Sequence, residues 1–91
     1  MRCEEKIPNG KLVCVEVWAK GGLVERAKIT GDFFLHPEER ISDLERALEG
    51  LPLSASEGDA ASALEKALGK ATLIGASTAD LARIFRKAVN G

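Results

Sequence analysis

The stretch KLVCVEVWAKGGLVERAKIT, Lys11 to Thr30, constrains the fold more than any other part of the chain. Two runs rich in β-branched residues flank Gly21-Gly22, and adjacent glycines supply the positive φ angles of a two-residue hairpin turn. The second run must therefore return antiparallel to the first. A loop of Gly21-Gly22 alone predicts Trp18 opposite Glu25, Val17 opposite Arg26, Val15 opposite Lys28 and Cys14 opposite Ile29. In that register neither face is the polar one. Leu12, Cys14, Trp18, Leu23, Ala27 and Ile29 share one side, while Val13, Val15, Val17 and Val24 share the other with two long cationic side chains. A sheet covered on one side alternates more cleanly, so the pattern predicts partial cover on both faces.

Upstream, Pro8, Asn9 and Gly10 mark a turn after RCEEKI, which adds a candidate edge strand. Downstream, KITGDFFLHPEE places Phe33 and Phe34 side by side in a chain that is only 4% aromatic. Neighbouring residues of an extended chain point to opposite sides, so the two rings serve different surfaces unless the backbone bends after Gly31.

The remainder carries helical spacing. Pro37 suits a first helical position, Glu38 and Glu39 complement the N-terminal dipole, and Ile41, Leu44 and Leu48 form a stripe that Gly50 ends. Ser54 and Glu57 have capping-box spacing and predict a second helix from near Ala55 to Gly69, with Ala61, Leu64 and Leu68 inward. Ser77 and Asp80 predict another cap, followed by Leu81, Ile84, Phe85, Ala88 and Val89 at helical spacing. Between these helices, KATLIGAS has room for one or two extended residues. The expected fold is α+β: one domain, residues 1–91, with a small antiparallel β-meander of two or three strands followed by about three α-helices.

The 91 residues hold thirteen basic and fourteen acidic side chains, a balance that provides no global field for nucleic acid or anionic membranes. No apolar stretch approaches the ~20 residues of a membrane span, and charged residues stand where a signal peptide needs an apolar segment. The expected compartment is cytoplasmic. Cys3 and Cys14 are too far apart for a Cys-x-x-Cys half-site and are read as reduced thiols.

No local pattern supplies a catalytic centre. His36, the only histidine, has no nucleophile in its own segment and reads as a loop or cap residue. Zinc would need Cys3, Cys14, His36 and a carboxylate to converge without any paired ligand spacing, so no metal site is expected. GASTAD before the last helix lacks the lysine and glycine spacing of a phosphate-binding loop. Arg83, Arg86 and Lys87 complement a helix C-terminus. Lys11, by contrast, follows a turn at the rim of the sheet, where its ammonium can reach a phosphate or a partner's carboxylate; Arg26 and Lys28 are further cations of the hairpin.

The order of elements from Pro8 to Gly50 is distinctive: a GKL turn, the hairpin, a GDFF strand end, a PEE helix start and a Leu-Glu-Gly helix end. In that order and spacing the chain resembles the accessory, C-terminal domain of lipoate–protein ligases, especially the free-standing archaeal form in which accessory and catalytic parts are separate polypeptides. LIGASTADLARIFRKAV is similar to the closing helix of that domain. The resemblance implies an accessory subunit that works with a catalytic subunit in the ATP-dependent activation of lipoate to lipoyl-adenylate, before transfer to a lysine of lipoyl-acceptor domains. It implies a heterodimer, with ATP, Mg and lipoate in the complex and none held by this chain alone. The lipoate loop and nucleotide lysine of the large domain have no counterpart here, so the chain alone is expected to be inert. Gly10, Lys11, Gly31, Asp32, Phe33, Phe34 and Pro37 are the resulting candidates for contacting the partner or organising its active site, with Lys11, Arg26 and Lys28 for a phosphate. One rival class is a sulfur-transfer or iron–sulfur assembly module, which requires an exposed, low-pKa Cys3 or Cys14. The other is a generic protein-interaction domain.

Overall fold

A computed structural model describes residues 1–8 and 11–90. Asn9 and Gly10 lie outside the described residues, so the expected turn is seen only at Pro8. Three strands, β1 (Arg2–Lys6), β2 (Leu12–Lys20) and β3 (Leu23–Gly31), form an antiparallel sheet in the order β1-β2-β3. Next come β4 (Phe34–His36), α1 (Arg40–Leu48), α2 (Glu57–Leu68), β5 (Thr72–Ile74) and α3 (Thr78–Asn90). The fold is α+β as expected, with one addition: β4 and β5 pair antiparallel as a second, two-stranded sheet.

Gly21 and Gly22 make the two-residue turn, with φ of 61° and 78°, but the register is not the one a plain hairpin predicts. Ala19 pairs with Val24, whereas Trp18 pairs with Arg26, so Glu25 is an extra residue forming a β-bulge. From there every pair is displaced by one: Val17 faces Ala27, Val15 faces Ile29 and Cys14 faces Thr30. This displacement resolves the mixed faces. Val13, Val15, Val17, Val24, Ala27 and Ile29 all turn inward and are at most 4% exposed. Leu12, Trp18, Arg26, Lys28 and Thr30 turn outward and are exposed. The expectation of cover on both faces is therefore corrected: the helices pack on one face only, and a bulge lets the alternation become clean.

Helix α3 lies over β1 and β2, α1 lies over β3, and α2 packs against both helices. The interior is built from Val13, Val15 and Val17 against Leu44, Leu48, Leu64, Leu81, Ile84 and Phe85. Fully burying such side chains stabilises by roughly 1.5–3 kcal/mol each. Helix starts differ from expectation in two places. Pro37 follows a cis peptide bond, and the helix begins only at Arg40, because residues 37–39 form a turn in which Pro37 O accepts the Arg40 N–H at 3.1 Å. Ser56, not Ser54, caps α2: its hydroxyl accepts the Asp59 N–H at 3.0 Å, and the Asp59 carboxylate accepts the Ser56 N–H at 3.3 Å. At α3 the expected box forms, with Ser77 and Asp80 exchanging bonds of 3.0 Å.

Two side chains tie layers together where backbone groups would otherwise lack partners. The Glu45 carboxylate accepts the Ile29 N–H at 2.8 Å, which covers part of the free edge of β3. Arg40 donates to the carbonyls of Ala67 and Leu68 at 3.1 and 3.4 Å, satisfying the C-terminus of α2.

Candidate functional site

Four of the expected site residues, Gly31, Asp32, Phe33 and Phe34, lie together at one corner, where β3 turns into β4. Gly31 is required there by space. A Cβ on it would stand 2.5 Å from the Leu12 carbonyl oxygen and 3.0 Å from Val13 Cα, so any side chain would push the two strands apart. The same carbonyl accepts the Asp32 N–H at 2.8 Å and turns the chain out of the first sheet. Phe33 then leans on the core, half-buried, while Phe34 faces away from it and is 60% exposed. The two rings thus serve different surfaces.

The second sheet extends the surface that Phe34 begins. Leu35 pairs with Leu73 and is buried, whereas Phe34 pairs with Ile74, which is 53% exposed. Side chains directly opposite on one face lie in contact range, so Phe34 and Ile74 make a two-residue apolar ledge. Ile74 has no local signal of its own; it joins the site only through the β4–β5 pairing. Beside the ledge, Ile29, Phe33, Phe34, Leu35, Glu38 and Ile41 line an open groove of about 320 Å³. Asp32 is exposed at the turn, and among the described residues no hydrogen bond to its carboxylate is formed.

The other candidates are dispersed. Lys11, half-buried, precedes Leu12 and so lies at the same corner; its carbonyl accepts the Ile7 N–H at 2.8 Å. Gly10 lies outside the described residues. Pro37 is exposed beyond the far end of β4, where His36 pairs with Thr72. Lys28 and Arg26 pair with Glu16 and Trp18 on the outward face of the first sheet, three and five residues back from Gly31. At about 3.3 Å per strand residue, Arg26 is roughly 16 Å along β3 from the corner, so Lys11, Arg26 and Lys28 cannot clasp one phosphate together.

Cys3 pairs with Val15 and turns to the inward face, half-buried, whereas Cys14 pairs with Thr30 on the outward face and is only 8% exposed. His36 belongs to the second sheet. These positions do not assemble a thiol–imidazole pair, and among the described residues no three metal-ligating side chains cluster. The most strongly coupled charges serve structure instead. Lys87 and Arg83 on α3 both donate to the Glu5 carboxylate on β1, the closer Arg83 contact being 2.7 Å. These bonds hold the Glu5 carboxyl below the usual carboxylate range. Burial opposes the same effect at Asp80, but the Ser77 N–H and hydroxyl and the Arg83 guanidinium outweigh it and lower that carboxyl too.

No family model and no curated protein matches the chain. Among solved structures, the fold is similar to a chain from a structural analysis of an archaeal lipoylation system, a bipartite lipoate protein ligase and its E2 lipoyl domain from Thermoplasma acidophilum. The likeness has a TM-score of 0.76 and 23% sequence identity, and it covers 94% of this chain and 93% of that one. The two chains therefore share a fold over almost their whole lengths and are of nearly equal size. Among the described residues no helix is long and apolar enough to cross a membrane.

Proposed function

We propose that this chain is the accessory subunit of a bipartite lipoate–protein ligase. In this reading it acts with a separate catalytic subunit, in the cytoplasm, to activate lipoate as lipoyl-adenylate at the expense of ATP, before the lipoyl group passes to a lysine of an acceptor domain. The observation that carries the reading is the end-to-end likeness to a chain of its own size from a bipartite ligase system. The ordered elements of the sequence, GKL turn to Leu-Glu-Gly helix end, support it independently.

The corner at Gly31–Phe34 supports a docking role in place of a catalytic one. Phe34 and Ile74 expose apolar surface that folding leaves uncovered, and aromatic side chains seated in a partner's pocket carry a large share of association energy. With the groove beside them, they form the contact to the catalytic subunit, and Asp32 accepts a hydrogen bond across it. In this reading ATP, Mg and lipoate belong to the complex with the catalytic subunit, and no chemical step is assigned to this chain. What the subunit supplies is position: closing over its partner, it restricts motion and water where the carboxylate and the nucleotide meet. Lys11 is the one expected phosphate contact placed at this corner, and it is the candidate for a direct electrostatic contribution.

The test separates the two half-reactions. The catalytic chain alone should release pyrophosphate from ATP and lipoate at least about tenfold more slowly than the pair, a difference of ~1.4 kcal/mol or more in the barrier. Supplied with preformed lipoyl-adenylate, it should transfer the lipoyl group equally well with or without this subunit. Robust pyrophosphate release by the catalytic chain alone, unchanged on adding this protein, would refute the proposal. Equal dependence of both half-reactions would replace the adenylation role with one in acceptor binding.

A further inference from the structure

The outward face of the β1–β2–β3 sheet has no covering helix, and that face is charged unlike the rest of the chain. Register, alternation and exposure assign to it Arg2 and Lys6 from β1, Lys20 from β2, and Arg26 and Lys28 from β3, against the carboxylates of Glu4, Glu16 and the bulged Glu25. Five cations thus stand against three anions, while the other eight cations of the chain stand against eleven anions. A chain of net charge −1 has sorted its charge, with the open sheet basic and the remainder acidic. Arg2 is engaged with Glu4 at 3.2 Å; among the described residues Lys6, Lys20, Arg26 and Lys28 form no ion pair.

Apolar surface lies within the same face. Trp18 and Leu12 are each 39% exposed, and the Arg26 guanidinium stands 5.0 Å from the centre of the Trp18 ring. This stacking holds both side chains in place before any partner arrives, which lowers the entropy cost of binding. Trp and Arg are also the residue types that dominate binding hot spots.

We propose that this face docks an acidic protein surface, with carboxylates against Arg26 and Lys28 and an apolar side chain against Trp18. The interleaved anions favour a protein over a polyphosphate. Glu16 sits on the central strand directly opposite Lys28, with Arg2 opposite it on the other side. A nucleic-acid backbone would have to run past that carboxylate, whereas a protein can set a lysine or arginine against it. The residues that carry the inference, Trp18, Arg26 and Lys28, lie away from the Phe34 corner, so it does not depend on the docking contact proposed there.

Trp18 is the only tryptophan, so its emission reports on this face alone. The probe is a glutamate-rich peptide of about 20 residues with leucines along one helical face. Titration of the protein should give a saturable change in Trp18 emission that weakens as salt rises from about 0.05 to about 0.5 M. The double reversal Arg26→Glu with Lys28→Glu should weaken binding about tenfold or more, measured also by calorimetry because Arg26 touches the reporter. Arg46→Glu, 73% exposed on α1, should leave it within about twofold. No saturable response, or equal affinity of the double reversal and the wild type, would overturn the proposal. So would tighter saturable binding of oligothymidylate or of phosphatidylglycerol vesicles, which would reassign the face to nucleic acid or membrane.

Discussion

Deleting a residue from the middle of a strand ordinarily inverts every side chain beyond it, yet deletion of Glu25 should be tolerated. Glu25 is the unpaired residue between Val24, which faces Ala19, and Arg26, which faces Trp18. Its removal closes the bulge while each remaining pair keeps its partner, and Glu25 itself is exposed. The stability change should stay within about 1 kcal/mol, a shift of less than about 1 M in the urea midpoint of a domain this size. Deletion of Lys28, an exposed residue of the same strand, has no such escape. If the bulge closes, Arg26 is forced inward against Val17 and Ala27 outward; a buried, unpaired guanidinium costs several kcal/mol. If the bulge persists, Ile29 turns outward and Thr30 inward. That loses roughly 1.5–3 kcal/mol of burial, with about 1–3 kcal/mol more for an unsatisfied hydroxyl. Either outcome consumes most of the roughly 5–14 kcal/mol that a chain of this length commands. Urea unfolding followed by far-UV circular dichroism should therefore find the Glu25 deletion folded and cooperative and the Lys28 deletion unfolded or nearly so. Equal damage from the two deletions would refute the register argument.

Phe33→Ala should lose about 2–3 kcal/mol of stability, whereas Phe34→Ala, at a side chain already 60% exposed, should lose about 1 kcal/mol and instead weaken the proposed complex with a catalytic chain about tenfold or more; chemical denaturation and calorimetry separate the two. Gly31→Ala should destabilise by about 1–3 kcal/mol, because its Cβ meets backbone and not a yielding side-chain tip, and thermal unfolding would read the loss. Glu5→Gln should cost about 1–2 kcal/mol near neutral pH. The folded-state Glu5 carboxyl is depressed, so its bonds to Lys87 and Arg83 stabilise above the ordinary carboxylate range and fade as pH falls through the depressed value. The gap between wild type and Glu5→Gln should accordingly close in acid; a gap that stays constant down to the acid limit would show that the ion pairs contribute no pH-dependent stability.

The sequence made the hairpin and the three helices legible because each is a local pattern, and it concealed the features that arise between segments. The bulge carries no glycine. Its trace is the spacing of Val24 and Ala27, three apart where strict alternation allows two or four, and only the demand that both reach one core turns that mismatch into a register change. The β4–β5 ladder joins residues nearly forty positions apart through three pairs, so no periodicity announces it, and Ile74 was missing from the expected site for that reason. Helix starts failed on near-degenerate alternatives: Ser54 with Glu57 and Ser56 with Asp59 have the same spacing, and the bonds chose the second. The division of labour between Phe33 and Phe34 was readable from strand geometry alone.

The placement of α3 over β1 and β2 also sets an order of events in time. Val13, Val15 and Val17 are synthesised about sixty residues before the helix that shields them, which begins only at Thr78. At about 5–20 residues per second the nascent hairpin waits on the order of several seconds with a continuous valine stripe bare and a free strand edge beside it. The stage most exposed to misassembly is thus this interval during synthesis, before the finished fold exists.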